Sequence, residues 1–307
     1  MDEFALIARI RERLKTDDPR VRLGVGDDAA VIAAPRDDVV VSVDAVVEGA
    51  HFDRRWLSWR DVGWRGMVGA LSDLAAMRAR PVCALLSLVL PDDLGEEAAL
   101  ALVDGAAEAA HAHGASIVGG NLARGPVVSQ HTTVMGEAAH PLTRSGARPG
   151  DAIYVTGTLG AAALGWRLLA ADAADDGPSF VARWRRPRAR FDALPWLAHA
   201  SACVDVSDGL AQDLGHLCAA SGVGAALELP RVPVEPDHHA VAAAHGLDGD
   251  VLAASGGEDY ELVFTCPASL DGPFTRVGEI LEGEGVELRD ADGRVRLLDA
   301  SGHRHFG

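Results

Sequence analysis

The sequence predicts an α/β protein of the α+β kind, with strands and helices mixed along the chain. Short runs rich in valine and leucine, such as VVVSVD (39–44) and VCALLSLVL (82–90), are typical of buried or half-buried strands. Between them, stretches such as 59–79 and 95–113 repeat apolar residues at helical spacing. With 307 residues, 48% of them hydrophobic, the chain is long enough for two domains with separate cores.

The same two patterns predict the remaining elements in order. An amphipathic helix opens the chain, since Phe4, Ile7, Ile10 and Leu14 recur at helical spacing. Further apolar runs predict strands at 115–120, 127–138, 151–157, 203–207, 224–229, 261–266, 286–289 and 294–298. Helical spacing recurs at 158–173, 188–200, 208–221 and 236–245, whereas the aspartate-rich 170–180 predicts a surface loop. The Pro-Gly turn chemistry of 141–151 marks a boundary between domains 1–140 and 141–307.

Charge and composition bear on which partners the protein can bind. The formal net charge of −17 argues against a nucleic-acid partner, because such proteins carry a basic face. Lys15 is the only lysine in the sequence, so phosphate would be bound through metal ions and arginine rather than a P-loop lysine.

Cellular setting can also be predicted from composition. The four cysteines lie far apart without a C-x-x-C spacing, which favours free, buried thiols. The amphipathic N-terminus is unlike a signal peptide, and no run of about 18 apolar residues predicts a membrane span. We therefore expect a cytoplasmic protein without a membrane partner.

Acidic residues beside glycine recur at the edges of apolar elements. One such cluster is more often a turn or a helix cap than a site. Several in one chain favour a shared cation, because converging carboxylates repel one another unless divalent ions hold them. Oxygen ligands of this kind favour Mg²⁺. The segments are GVGDDAAVI (24–32), VSVDAVVEGAHF (41–52), LSDLAAM (71–77), VDVSDGL (204–210) and SGGEDYEL (255–262).

Local geometry distinguishes individual residues in these segments. Asp73 shares one face of its helix with Gly66, Gly69 and Ala70, whose side chains are absent or small. Another backbone segment or a ligand could therefore approach Asp73 closely. Alternation places Asp205 and Ser207 on one face of a strand. Asp208 begins the next helix and is either its N-cap or a ligand beside phosphates.

Strand alternation also predicts the direction in which three other acidic side chains point. Asp27 and Asp28 point to opposite faces, so we expect Asp28 to meet a cation and Asp27 to bond the turn. Glu261, two residues after Asp259, is expected to face solvent.

Taken in order, these motifs closely resemble the thiamine-monophosphate kinase family. GVGDDAAVI, LSDLAAM and VDVSDGLAQDLGHL mark its superfamily, which includes aminoimidazole ribonucleotide synthetase, selenophosphate synthetase and a hydrogenase maturation factor. SVDAVVEGAHF and SGGEDYELVF favour the thiamine kinase within it. The resemblance implies a two-domain PurM-like protein, a homodimer formed through the sheets of its N-terminal domain, and ATP with several Mg²⁺ ions between its domains.

The resemblance also implies roles for individual residues. The implied Mg²⁺ ligands are Asp28, Ser42, Val43 (through its backbone oxygen), Asp44, Asp73, Asn121, Asp205 and Asp208. ATP contacts are implied for Gly120, Asn121, Arg144 and Ser207, and contacts to thiamine monophosphate for His51, Glu258 and His303. Arg124 is a second candidate for binding phosphate oxygens.

The implied reaction transfers the γ-phosphoryl group of ATP in line to the phosphate of thiamine monophosphate, giving thiamine diphosphate. The acceptor phosphate is already largely ionised near pH 7, so no catalytic base is expected. The metal ions would screen the repulsion between the two anionic groups.

Two positions depart from the family pattern. GGNLARG (119–125) stands where the family has GGDTTRG, so Asn121 keeps an oxygen ligand but loses the charge. His303 stands where the family has a stacking aromatic residue. Two alternatives therefore stay open: another ATP-using enzyme of the superfamily, or a binding protein that has lost turnover through Asn121.

Overall fold

The computed structural model describes residues 3–267 and 269–297. The chain divides into two compact units. The described parts of Met1–Leu74 and Ala79–Pro141 form the N-terminal unit, and those of Ala75–Arg78 and Leu142–Gly307 form the C-terminal unit.

The N-terminal unit is built on a four-stranded sheet in the order β3-β6-β4-β5. Strands β3 and β6 are antiparallel over ten residue pairs, whereas β4 and β5 run parallel. The parallel pair is joined through α3, as parallel strands require a crossover. The elements of this unit are α1 (Glu3–Arg13), β1 (Val21–Leu23), β2 (Val31–Ile32), β3 (Asp38–Val47), α2 (Trp59–Ala76), β4 (Arg80–Leu90), α3 (Glu96–Ala112), β5 (Ser116–Arg124) and β6 (Ser129–Ala138).

The two faces of this sheet differ in exposure. On one face, Leu86, Leu88 and Val134 are buried in the core that includes the apolar residues of α2 and α3. The opposite face is exposed and apolar along β3, where Val41 and Val43 keep 60% and 65% of their surface in contact with solvent. Leu85 on β4 extends this apolar surface, since Thr133 of β6 pairs with both Val43 and Leu85.

The C-terminal unit has a seven-stranded sheet in the order β13-β12-β9-β11-β7-β10-β8. Every residue of the neighbouring strands β7, β10 and β8 is buried, because both faces of the sheet are covered there. The elements are β7 (Ala152–Thr156), α4 (Ala161–Ala170), α5 (Pro178–Arg185), β8 (Ala202–Val206), α6 (Leu210–Ser221), β9 (Gly224–Glu228), α7 (His238–Ala244), α8 (Gly249–Ser255), β10 (Glu261–Cys266), β11 (Phe274–Leu281), β12 (Gly285–Arg289) and β13 (Val295–Leu297).

The mixed-fold prediction is confirmed, although β11 and α8 were not predicted and two predicted segments need correction. The helix predicted over 188–200 is wrong, since the chain forms two short 3₁₀ turns at Phe191–Ala193 and Trp196–His199. Pro195 within that stretch cannot donate an N–H to a continuous helix. The end of the predicted loop 170–180 instead begins α5, where Pro178 occupies the first turn.

The cysteine prediction is confirmed. All four cysteines are free and buried, and burial raises the pKa of the thiols of Cys83, Cys203 and Cys218. Among the described residues, no helix is both long enough and apolar enough to cross a membrane.

Candidate functional site

An acidic site in the N-terminal unit joins β3 to α2. Ser42 and Asp44 lie on one face of β3, and Val43 lies on the other. The Ser42 hydroxyl donates a hydrogen bond to Oδ2 of Asp73, which projects from α2. The Asp44 carboxylate accepts the N–H of Ala45 at 2.7 Å. All three side chains are half-buried, so their oxygens lie at the edge of the core.

Close packing of α2 on the sheet explains this arrangement. A Cβ atom at Gly66 would lie 2.6 Å from Nε2 of Gln130 and 2.8 Å from a methyl group of Val46. Only glycine therefore lets the helix approach the sheet this closely. Asp73 lies two turns further along the same face of α2. The close packing of α2 on the sheet therefore places the Asp73 carboxylate within hydrogen-bond range of β3.

The Gly-Asp-Asp turn lies elsewhere in the N-terminal unit. Oδ1 of Asp27 accepts the N–H of Asp28 at 2.8 Å, which confirms that Asp27 bonds the turn. Asp28 itself is exposed in this turn. Its role as a metal ligand stays a prediction.

His51 lies in the turn that follows β3. Its Nδ1 accepts the N–H of Val47 at 3.2 Å, so the neutral ring carries its proton on Nε2. Nearby, the Arg54 guanidinium holds the pKa of the Glu48 carboxyl below its ordinary value. This ion pair stabilises the turn that presents His51.

Gly120 and Asn121 lie on β5, away from the acidic site. Two strands separate β5 from β3, so about 14 Å lies between them at about 4.8 Å per strand. Asn121 is exposed and pairs with Ser87 of β4. A Cβ at Gly120 would lie 1.9 Å from the Leu86 carbonyl oxygen, so strand packing alone requires this glycine. The structure does not bring Asn121 to Ser42, Asp44 and Asp73.

The second acidic site lies in the C-terminal unit, between β8 and α6. Asp205 is a buried residue of β8, and Ser207 and Asp208 follow in the turn. The Asp213 carboxylate, one turn into α6, accepts the N–H groups of Ser207, Asp208 and Gly209, each at 3.0 Å. Burial raises the pKa of Asp213 to about 7, although these three donors oppose the shift.

Asp213 also belongs to a cluster that could hold a metal ion. Ligand atoms of Asp208, Asp213 and His216 lie within 4.8 Å of one another. Gln212 donates to Oδ2 of Asp208 at 3.1 Å. The sequence prediction included Asp208 but missed Asp213, although an aspartate four residues into a helix is a recognisable partner for its first N–H groups.

The SGGEDYEL segment lies directly against this turn. The N–H of Glu258 donates to the Ser207 carbonyl at 2.8 Å, and that of Tyr260 donates to Val206 at 2.9 Å. A Cβ at Gly257 would lie 2.5 Å from the Ser207 oxygen, so the two segments touch through their backbones. The structure thus brings together Ser207, predicted to contact ATP, and Glu258, predicted to contact the thiamine substrate.

The three acidic side chains of this segment have different partners. Nε1 of Trp184 donates to Glu258 at 2.7 Å. Asp259 is buried and accepts the N–H groups of Gly160 and Ala162 at the start of α4, at 2.6 and 3.0 Å. Burial raises its pKa to about 7.

Glu261 corrects the sequence analysis, which expected it to face solvent. Its side chain is only 2% exposed and forms ion pairs with Arg183, at 2.9 Å, and with Arg190. Thr156 of β7 donates to the same carboxylate at 2.6 Å. All six residues of β10 are buried, because core side chains cover both faces of the sheet there, so alternation does not predict exposure.

The two candidate phosphate-binding arginines are both exposed. Arg124 forms a surface ion pair with Asp92 at 3.3 Å. Arg144 lies in the segment after the first unit, and its carbonyl oxygen accepts the hydroxyl of Ser221 at 3.0 Å. The predicted substrate residue His303 lies outside the described residues.

Comparison with known proteins identifies the family. Family models for AIR synthase related protein match residues 26–138 with the N-terminal domain and 148–291 with the C-terminal domain. Thiamine-monophosphate kinase of Escherichia coli K12 is 37% identical over 99% of this chain and 98% of its own length. That of Aquifex aeolicus is 32% identical over 100% and 98%. The chain belongs to the thiamine-monophosphate kinase family.

Solved structures of thiamine-monophosphate kinases agree with this placement. The enzyme of Stenotrophomonas maltophilia K279a superposes with a TM-score of 0.84 at 38% identity, over 96% of this chain and 98% of that one. A structure described as AaThiL complexed with AMPPCP and TMP gives 0.83 at 31% identity, over 99% and 97%. The predicted family and the two-domain, PurM-like fold are confirmed.

A more distant likeness concerns the fold alone. Hydrogenase maturation protein HypE in complex with ATP superposes with a TM-score of 0.75 at 21% identity, over 96% of this chain and 93% of that one.

Proposed function

We propose that this protein uses ATP to phosphorylate thiamine monophosphate, giving thiamine diphosphate. The observation that carries the proposal is the match, over almost the whole chain, to the relative described as complexed with AMPPCP and TMP. The backbone hydrogen bond from Glu258 to Ser207 supports it further, because it would place a nucleotide contact beside a substrate contact.

Mg²⁺ is the metal that best fits the residues present. The two acidic sites offer hydroxyl and carboxylate oxygens from Ser42, Asp44 and Asp73 in one unit, and from Asp205 and Asp208 in the other. Hard oxygen donors are typical Mg²⁺ ligands, and kinases use such ions to neutralise transferring phosphates. We propose Asp28, Val43 and Asn121 as further Mg²⁺ ligands only because they match ligand positions of the family.

The residues of the chain would act by binding and orientation. Arg144 would pair with phosphate oxygens, Ser207 and Gly120 would contact ATP, and His51 would contact the thiamine moiety. A phosphate monoester is mostly dianionic above its second pKa of about 6, so the acceptor requires no base near pH 7. Bound Mg²⁺ would supply charge neutralisation between the two anionic groups.

The decisive experiment is direct product detection. Purified protein is incubated with ATP, Mg²⁺ and thiamine monophosphate, and thiamine diphosphate is separated by chromatography. We expect product that depends on all three components and disappears with a chelator. Nucleotide binding without product would contradict the kinase and favour a binding protein.

We also propose that the protein is a homodimer that buries the exposed face of the N-terminal sheet. Val39, Val41, Val43 and Leu85 expose an apolar strip there, which favours association with a second copy. Val41→Asp should shift the mass measured by light scattering towards the monomer. Val251→Asp is the matched control, since Val251 is similarly exposed on α8. An unchanged mass for Val41→Asp would contradict this interface.

A further inference from the structure

Helix α5 holds the SGGEDYEL segment through two consecutive side chains. Arg183 forms an ion pair with Glu261, and Trp184 donates its indole N–H to Glu258. Each contact spans more than seventy positions of sequence, so the helix fixes a distant segment at two points three residues apart. Asp259 between them is fixed separately by the start of α4.

The backbone of this segment is unusual at the same positions. Glu258 has φ of +69° and Tyr260 has φ of +53°, in the left-handed region that non-glycine residues rarely adopt. Such conformations persist only where the surroundings enforce them, and they concentrate at functional sites. The contacts of α5 and α4 supply that enforcement.

The two contacts from α5 differ in charge. Arg183 and Arg190 offset the negative charge of Glu261, which is buried. The Trp184 indole is a neutral donor, so this hydrogen bond orients the Glu258 carboxylate and adds no positive charge of its own. Trp184 itself is 1% exposed, and this burial fixes the direction of its N–H.

We propose that Trp184 is a positioning residue that aims the Glu258 carboxylate at the cationic, amino-substituted heterocyclic part of the substrate. The inference rests on the proposed function, because it takes thiamine monophosphate as the ligand. An ionised carboxylate pairs with N–H donors and positive charge, and thiamine offers both. Losing the orienting hydrogen bond therefore weakens substrate binding while leaving nucleotide binding unchanged.

Calorimetric titration of a matched set of variants tests this role. Trp184→Phe removes the N–H but keeps an aromatic ring, and Glu258→Gln removes the charge. Phe180→Leu is the control. Phe180 is similarly buried on α5, so this substitution reduces the packing of the same helix. Each protein, and the Trp184→Phe/Glu258→Gln double variant, is titrated with thiamine monophosphate and with a non-hydrolysable ATP analogue.

We expect Trp184→Phe to weaken thiamine monophosphate binding about tenfold, as the loss of a hydrogen bond to a charged group does. Binding of the ATP analogue should be unchanged, and Phe180→Leu should bind thiamine monophosphate like the wild type. In the Glu258→Gln background, Trp184→Phe should have little further effect, because the two residues act as one unit.

Three results would overturn the proposal: unchanged binding by Trp184→Phe, the same loss in Phe180→Leu, or an undiminished effect of Trp184→Phe in the Glu258→Gln background. Wild-type protein that binds thiamine monophosphate but forms no thiamine diphosphate would contradict the proposed kinase alone. Wild-type protein that does not bind it would overturn both.

Discussion

The acidic residues of the two units are held in different ways. In the C-terminal unit, Asp213, Asp259 and Glu261 are each at most 4% exposed and bond to backbone N–H groups or arginines. In the N-terminal unit, Asp44 and Asp73 are half-buried and Asp28 is exposed. Carboxylates held like Asp259 and Glu261 support the fold, whereas partly exposed ones like Asp44 and Asp73 can reach a cation in solvent.

The largest loss of stability is expected from removing Glu261, a buried carboxylate of the C-terminal unit. Glu261→Ala would leave Arg183 and Arg190 without their buried partner, which costs about 3–5 kcal/mol of unfolding free energy. Urea unfolding measures this cost. The control is Glu228→Ala, which breaks a surface pair with Arg231 and should cost at most about 1 kcal/mol. Equal costs would remove the distinction between framework and surface carboxylates.

Asp73→Asn should affect activity and leave the fold intact. We expect kcat/KM to fall about 100-fold or more, because even residues that only orient metal ligands are worth about 10- to 100-fold. Since Asp73 is half-buried, the urea midpoint should change little. Asp192→Asn, at an exposed carboxylate outside both acidic sites, is the control for activity. Near wild-type turnover by Asp73→Asn would exclude Asp73 from the site.

The unfolding free energy of the protein should depend on pH through Asp259. Its pKa rises from 3.8 to about 7 on burial, so between these values the folded protein keeps a proton that the unfolded chain has released. The stabilisation is complete below pH 3.8 and is lost as the pH rises through about 7. Asp259→Asn should therefore show a flatter fall in unfolding free energy over this window.

Urea unfolding at several pH values checks that difference. Asp271→Asn, at an exposed position, should keep the wild-type slope. If Asp259→Asn also keeps it, the carboxylate is ionised in the folded protein throughout this window.

The smallest expected effect concerns Asn121. Asn121→Asp should raise Mg²⁺ affinity or turnover several-fold, since a carboxylate binds a hard cation better than an amide does. Mg²⁺ titration of the rate measures it, and Ser87→Asp on the neighbouring strand is the control for added surface charge. No difference between the two variants would contradict a cation at position 121.

Much of the fold and part of the site could be predicted from local patterns. The small residues Gly66, Gly69 and Ala70 on one face of α2 predicted a close approach at Asp73, and the structure shows that close packing at Gly66. Family resemblance supplied the roles that composition could not. These features depend on near neighbours in sequence, which explains why they were predictable.

The remaining features depend on which strands become neighbours. Glu261 follows an alternating pattern, but β10 lies inside its sheet and both faces are covered. Asn121 has a family position, yet strand order places β5 at the opposite edge from β3. The hydrogen bond from Trp184 to Glu258 joins residues 74 positions apart, which no local pattern indicates.

The Asp213 contacts restrict how the chain can recognise a triphosphate. Successive N–H groups at the start of a helix commonly form a cradle for a nucleotide's phosphates. Here the carboxylate of Asp213 already fills that cradle, since it accepts the N–H groups of Ser207, Asp208 and Gly209. The chain thus carries its own internal mimic of the anion. A nucleotide at this turn must be recognised through side chains and bridging cations instead.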